Sequence, residues 1–324
     1  MKKLLFMVAI FLLLSVGVAQ AQDDWQPITP GATAVCARGT PYTFFVRNGD
    51  PTRLLIFFEG GGACWNDGTC KPGSGTFSEV VHGDEMAAFT QGIFDVANPQ
   101  NPLAGYTVVF VTYCTGDYHL GTQAVDYPSG TVNHVGSIDA TAAINWAFAN
   151  IKKPSQVVVA GCSAGAIGSI YYAPTIARHY RGAALTQFGD AGVGVINPGW
   201  GGFSVWGADL HGSPDQVVNT LYSRAATSYP RDRFAEYTSY NDSVQTSYYV
   251  MMGAVMAWPL AMESSLTGLQ KYSNFRSYIG PSDDHCISTT PRFYSEAVNG
   301  VAFRDWFAGL VDGSAVDNVT CTDC

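Results

Sequence analysis

Charge is scarce in this chain, and positive charge scarcer still. Asp, Glu, Lys and Arg make up 13% of its 324 residues, and 17 cations face 26 anions. A net charge of −9 argues against nucleic acid or an anionic membrane surface as a partner, because a diffuse negative field repels both. A bilayer-spanning run is also missing. The one long apolar stretch, Leu4 to Val18, is short for a span and lies between Lys2-Lys3 and Ala19-Gln20-Ala21. That order of basic, apolar and small residues is a secretory signal, with cleavage expected after Ala21. No cysteine follows closely enough for a lipid anchor, the first being Cys36. Paired C-x-x-C spacing is absent apart from Cys321-Thr322-Asp323-Cys324, and no histidine pair complements it, so no metal site is expected. Internal repeats and low-complexity tracts are lacking too. These absences leave a secreted or periplasmic protein, off the membrane once residues 1–21 are removed, and monomeric.

What is present suits one large domain over residues 22–324, with 47% hydrophobic content to fill its core. All eight cysteines lie in the exported part, and an even count in an oxidising compartment implies disulfides. Cys64 and Cys70 are close enough to clip a loop. Cys321 or Cys324 is expected to tie the tail to Cys286; sequence leaves the rest of the connectivity open.

Strands are expected at Tyr42 to Arg47 and Leu54 to Phe58, in hairpin spacing around Asn48-Gly49-Asp50-Pro51. Further strands are expected at Thr107 to Thr112, Val157 to Val159, Ala183 to Phe188, Phe234 to Tyr240 and Phe275 to Ile279. Helical spacing covers Ser137 to Ile151 and Ala164 to Tyr180, with Pro174 kinking or ending the second. Val244 to Ala261 is an apolar helical stretch, and a last helix spans Val301 to Leu310. Strand, helix, strand order with short connections implies a mostly parallel sheet. Residues 193–229, rich in Gly, Pro and Trp, form an inserted loop or lid.

The chemistry centres on Gln156 to Gly168, where a β-branched run leads into Gly161-Cys162-Ser163-Ala164-Gly165 and then a helix. This is the order of a nucleophile elbow, with Ser163 as the nucleophile. A serine hydroxyl needs a base, and the base a carboxylate. His82, His119 and His134 precede the serine, His179 is several turns down its helix, and His211 lies in the insertion. His285, on a loop after the last strand, is left as the base. Asp190 and Asp242 both follow strands; the later position favours Asp242 as the acid, with Asp190 bracing a loop. Asp283 and Asp284 are too near His285 in sequence to orient it. An oxyanion needs preorganised N–H donors, and Gly60-Gly61-Gly62-Ala63 at a strand end, with Ala164, can supply them.

Three segments, Phe58 to Trp65, Tyr113 to Gly121 and Gly161 to Gly165, together resemble the pectin acetylesterase and Notum family of serine carboxylesterases. The likeness runs in order over most of Thr52 to His285 and weakens after Asp190. It implies an α/β-hydrolase fold without cofactor or metal, Ser163, Asp242 and His285 as catalytic residues, and Gly61, Gly62 and Ala164 as oxyanion donors. Asp117, in the second segment, is expected to brace its loop. The natural esters in that family include acetylated cell-wall polysaccharide and a lipid-modified protein, so the resemblance fixes the reaction better than the substrate. Trp65, with Trp200 and Trp206, either stacks on substrate rings or packs. The expected activity is hydrolysis of O-acetyl or other short acyl esters; the alternatives are a polyester depolymerase on the same residues and a non-catalytic binding protein on a hydrolase scaffold. Two sequons, at Asn241 and Asn318, complete the inventory.

Overall fold

The computed structural model describes residues 25–197, 199–210, 217–322 and 324. The expected signal (1–21) and His211 lie outside them. Strands β1 (Gln26–Ile28), β2 (Phe44–Arg47), β3 (Asp50–Phe58) and β4 (Tyr106–Val111) open the fold, with the short helix α1 (Asp67–Cys70) between the last two. A two-stranded hairpin, β5 (Gln123–Tyr127) and β6 (Gly130–His134), precedes helix α2 (Gly136–Asn150). The centre of the chain is β7 (Gln156–Cys162), α3 (Ala164–His179) and β8 (Ala184–Asp190), then α4 (Gly202–Val205) and α5 (Val217–Ser228). It closes with β9 (Arg233–Ser239), α6 (Ser243–Met251), α7 (Trp258–Leu269), β10 (Phe275–Gly280), α8 (Arg292–Ser295), the paired β11 (Ala297–Val298) and β12 (Val301–Ala302), α9 (Phe303–Asp312) and β13 (Val319–Thr320).

Nine strands form one sheet in the order β1-β2-β4-β3-β7-β8-β9-β10-β13, antiparallel only at the β1-β2 and β2-β4 pairings. Strand periodicity divides the core between its faces. Leu54, Ile56, Phe58, Val157 and Val159 turn toward α2, α3, α5 and α7. Leu55, Phe57, Val158 and Ala160 turn toward α8, α9 and the loop carrying Phe94. Helices on both faces of a mostly parallel sheet make this the α/β-hydrolase arrangement, as the sequence implied.

Local signals misled in three places. The Tyr42 to Phe58 segment is not a hairpin: β2 pairs antiparallel with β4 (Phe45 opposite Phe110), and β4 separates it from β3. Helix α3 runs through Pro174 to His179; packing against β7, β8 and α5 outweighs one missing hydrogen bond. The apolar stretch from Val244 is two helices, broken where Gly253 takes φ +84°. Among the described residues no helix is long and apolar enough to cross a membrane.

The disulfides are Cys36–Cys114, Cys64–Cys70, Cys162–Cys286 and Cys321–Cys324. The Cys64–Cys70 clip is as expected. The tail is not tied to Cys286: that cysteine, on the loop after β10, bonds Cys162 at the end of β7, leaving Cys321 and Cys324 to each other.

Candidate active site

Ser163 sits at the turn from β7 into α3 with φ +56° and ψ −121°, a conformation that costs a non-glycine residue about 1–3 kcal/mol. Its flanks explain why the turn closes. A Cβ on Gly161 would stand 2.1 Å from the Gly165 carbonyl oxygen, and one on Gly165 would stand 2.0 Å from that of Phe58. The Ser163 amide donates to the Asp190 carbonyl at 2.8 Å, anchoring the turn to β8. The N-terminus of α3, a 16-residue helix, begins immediately behind the hydroxyl and favours negative charge there.

His285 follows β10, and its Nδ1 lies 2.9 and 3.1 Å from the two carboxylate oxygens of Asp242, which follows β9. Asp242 is fully buried. Its side chain also caps α6, accepting from the Gln245 amide at 2.8 Å and from Gln245 Nε2 at 2.9 Å. With Nδ1 carrying the proton toward this carboxylate, Nε2 is left to accept one, and among the described residues Nε2 is buried without a partner. Ser163 and His285 line the same two cavities.

Those cavities differ in character. One, of about 50 Å³, is walled by Ile167, Val195, Ile196, Val244, Met252 and Trp258. The other, of about 480 Å³, is lined by Glu59, Thr76, Ser78, Phe77, Phe89 and Thr289. Gly62, Val244 and Tyr248 belong to both. The glycine run is held open between them. Ala63 donates to the Thr76 carbonyl and Ser78 to that of Gly61; these bonds bracket the Gly62–Phe77 bridge and leave the Gly62 amide outside it. Tyr113 Oη donates to the Gly62 carbonyl at 2.9 Å, and Tyr248 Oη to that of Thr76. Gly61 and Gly62 line the larger cavity together with Ser163, a Cβ on Gly60 would stand 3.0 Å from that of Ser163, and Ala164 adjoins the serine by sequence.

The bracing carboxylates are buried and carry raised pKa values. Asp117 accepts from Thr115 Oγ1 at 2.7 Å, the His119 amide at 3.1 Å and the Gly136 amide at 2.7 Å; burial pushes it up to about 6 against these bonds. Asp190 accepts from the amides of Ile287 (3.3 Å) and Ser288 (2.7 Å), just beyond His285, and burial likewise holds it at about 6. Trp65 lines neither cavity. It meets Trp200 edge-on at 5.2 Å, and Trp206 Nε1 donates to the Cys64 carbonyl at 2.7 Å, so these rings pack together. Three of the other described histidines are engaged elsewhere: His119 with the Glu59 carbonyl, His134 with Tyr127 and Thr115, His179 stacked on Phe148 at 3.7 Å.

Three participants escaped the sequence reading. Gln245 holds Asp242 and also accepts the Val193 amide at 3.1 Å; the D-x-x-Q spacing of a capping box marked it in advance. The Cys162–Cys286 disulfide joins the residue before the serine to the residue after the histidine, which no local pattern foretells. Glu236, fully buried, accepts from Tyr222 Oη at 2.7 Å and from the Gly192 amide at 2.8 Å, and burial raises it to about 8. An acid whose folded pKa exceeds its unfolded one costs stability as pH rises between the two values, because the folded state holds the proton longer. Glu236→Gln is therefore expected to leave the melting temperature unchanged near pH 4.5 and raise it by a few degrees near pH 8, measured by thermal unfolding across that range.

Residues 26–198, just over half of the chain, match a family model described as Pectinacetylesterase. That stretch holds the glycine run, Asp117 and Ser163 and stops before Asp242 and His285. The chain is also similar to palmitoleoyl-protein carboxylesterase NOTUM of Schmidtea mediterranea, 28% identical over 133 residues, 40% of this chain and 25% of that protein. The similarity thus spans about a quarter of the length of that curated relative.

Proposed function

From the premise that the chain belongs to the pectinacetylesterase family, we propose that it is an exported serine carboxylesterase that hydrolyses short acyl esters, O-acetyl groups of a polysaccharide foremost. The observation that carries the reading is the buried Asp242 carboxylate 2.9 Å from His285 Nδ1, with the opposite ring nitrogen unpartnered beside the cavity that Ser163 lines. In the proposed cycle, His285 Nε2 takes the Ser163 proton as Oγ attacks the ester carbonyl. Amides of Gly61, Gly62 and Ala164 receive the oxyanion. The tetrahedral species collapses, and His285 returns the proton to the departing alcohol. Water then repeats the sequence on the acyl-serine, releasing the acid and the free enzyme. Asp242 orients the imidazole and stabilises its charged form, held in turn by Gln245.

Cavity size assigns the two halves of the ester. About 50 Å³ between apolar walls, against about 480 Å³ on the other side, suits the smaller, acyl half of the ester. The 480 Å³ side, with hydroxyls and three phenylalanines, suits a bulky polar alcohol such as a sugar. Residues 22–324 then form one catalytic domain with 193–229 inserted beside the cleft, acting as a monomer. A polyester reading has one feature in its favour: Val250, Met251, Val255, Met256 and Leu260 are exposed near the small cavity, an apolar rim suited to a water-insoluble ester.

Nitrophenyl esters of increasing acyl length separate these readings. With a small acyl pocket, kcat/KM is expected to be highest for acetyl and to drop by about tenfold or more by octanoyl, while acetylated polysaccharide outruns insoluble polyester. A rise with acyl length would reject the short-acyl assignment. A fluorophosphonate probe is expected to add to Ser163, located by peptide mass; absence of labelling would favour a non-catalytic scaffold.

A further inference from the structure

The direction in which the Gly62 amide points depends on how its peptide plane is turned. A peptide unit is planar and trans, so the Gly62 N–H points opposite to the Gly61 carbonyl. That carbonyl accepts from the Ser78 amide at 2.8 Å, and the Ala63 amide donates to the Thr76 carbonyl at 3.0 Å. The short segment from Thr76 to Ser78 therefore sets the aim of the glycine run. Its own neighbourhood is a weak support. The run holds Gly61 at φ +144° and Gly62 at φ +75°, and the segment follows Gly73 and Gly75 at φ +71° and +73°; glycine is the residue with the most backbone freedom to lose. Thr76 Oγ1 donates to the Thr69 carbonyl at 2.5 Å and lies 2.9 Å from Ser74 Oγ, ties that stay within the same loop.

Tyr248 supplies a tie from outside. Its Oη donates to the Thr76 carbonyl across 172 residues of sequence, meeting the oxygen that also takes the Ala63 amide. A Cβ on Gly62 would stand 2.0 Å from that carbonyl oxygen and 2.3 Å from Tyr248 Oη, so the phenol lies against the run itself. Burial raises its pKa above the ordinary phenol value, which keeps the donor proton in place at neutral pH. Trp65 meets its ring at 6.4 Å. Tyr248 is carried by α6, the helix that Asp242 caps. Gln245, which donates to Asp242 through Nε2 at 2.9 Å, precedes Tyr248 by three residues, and residues three apart are neighbours on a helix surface. One helix thus touches the carboxylate beside His285 and, a turn later, the segment behind the glycine run.

We propose that Tyr248 is a positioning residue for the oxyanion amides: it fastens the Thr76 to Ser78 segment to α6, so that the Gly62 N–H and the Asp242–His285 pair are held in register with Ser163 by the same helix. The proposal rests on the esterase reading and adds a residue to it. Tyr248 exchanges no proton in the cycle. Its hydroxyl acts through Thr76, and its effect is felt when negative charge develops on the former carbonyl oxygen of the ester, because aim matters most where a fixed dipole meets a full charge.

Tyr248→Phe removes one oxygen and keeps the ring that walls both cavities. On nitrophenyl acetate its kcat is expected to fall roughly ten- to a hundredfold, with KM within about twofold and a melting temperature lowered by only a few degrees. Two ketones of equal length give the readout that a merely structural role would not move. With a trifluoromethyl ketone, Ser163 Oγ bonds the carbonyl carbon, the serine proton passes to His285, and the carbonyl oxygen becomes an oxyanion; affinity is expected to weaken by about the same factor as kcat/KM. The plain methyl ketone, bound without addition, is expected to keep its affinity. Three results would each overturn the proposal: unchanged kcat, unchanged affinity for the trifluoromethyl ketone, or equal weakening of both ketones, which marks a loosened pocket rather than a misaimed amide. A wild-type protein that neither turns over nitrophenyl acetate nor binds the trifluoromethyl ketone would instead defeat the esterase reading, and this proposal with it.

Discussion

Ser163→Ala is expected to lower kcat on a nitrophenyl ester by about a millionfold, the loss that follows removal of a serine nucleophile whose partners act only through it. The strained turn makes the test clean. Alanine keeps the backbone bond from residue 163 to the Asp190 carbonyl and removes one oxygen, so the melting temperature should hold. Rates at this level are obscured by trace contaminants, which is why loss of fluorophosphonate labelling is the second readout. Substantial remaining activity would move the nucleophile to another hydroxyl lining the cleft, Ser78, Thr289 or Tyr248, and would end the proposed cycle.

The two carboxylates are expected to separate widely on amidation. Asp242→Asn should reduce kcat by about 10⁴-fold at nearly constant KM, because an amide facing Nδ1 selects the tautomer whose Nε2 is already protonated and cannot take the serine proton. Asp190→Asn should cost only about tenfold. Its oxygens face two backbone amides, at 2.7 and 3.3 Å, and asparagine keeps one acceptor for the shorter bond; what is lost is firmness of the loop after His285. Steady-state kinetics of both variants, with melting temperatures as controls, decide it. The reverse ranking would assign Asp190 the role given to Asp242.

Why sequence separates some of these features and not others follows from their range. The glycine spacing around Ser163 is dictated by atoms within five residues and the neighbouring strand end, so the turn is legible as a motif. Asp190 and Asp242 are each an aspartate at a strand end. Asp242 is set apart by its local contacts with Gln245, three residues on, and by the approach of the His285 loop, 43 residues away, and only the second is out of reach of a local pattern. The same holds for pairing: Asn48-Gly49 looks like a hairpin turn locally, but the partner of β2 is decided by β4, which lies nearly sixty residues on. Cysteine spacing finds the six-residue Cys64–Cys70 loop, yet the bond from Cys162 crosses 124 residues.

That long-range disulfide makes competence conditional on where the chain matures. A cystine persists only where thiols can stay oxidised, and among the described residues this one is the only disulfide between the Ser163 turn and the loop of His285. A copy retained in a reducing cytosol would hold those two loops in register through the Asp190 hydrogen bonds alone. Chemical readiness would then lag behind folding, arriving with oxidation rather than with completion of the sheet, and recombinant material made without an oxidising step is expected to be compact, native-like by circular dichroism, and slow.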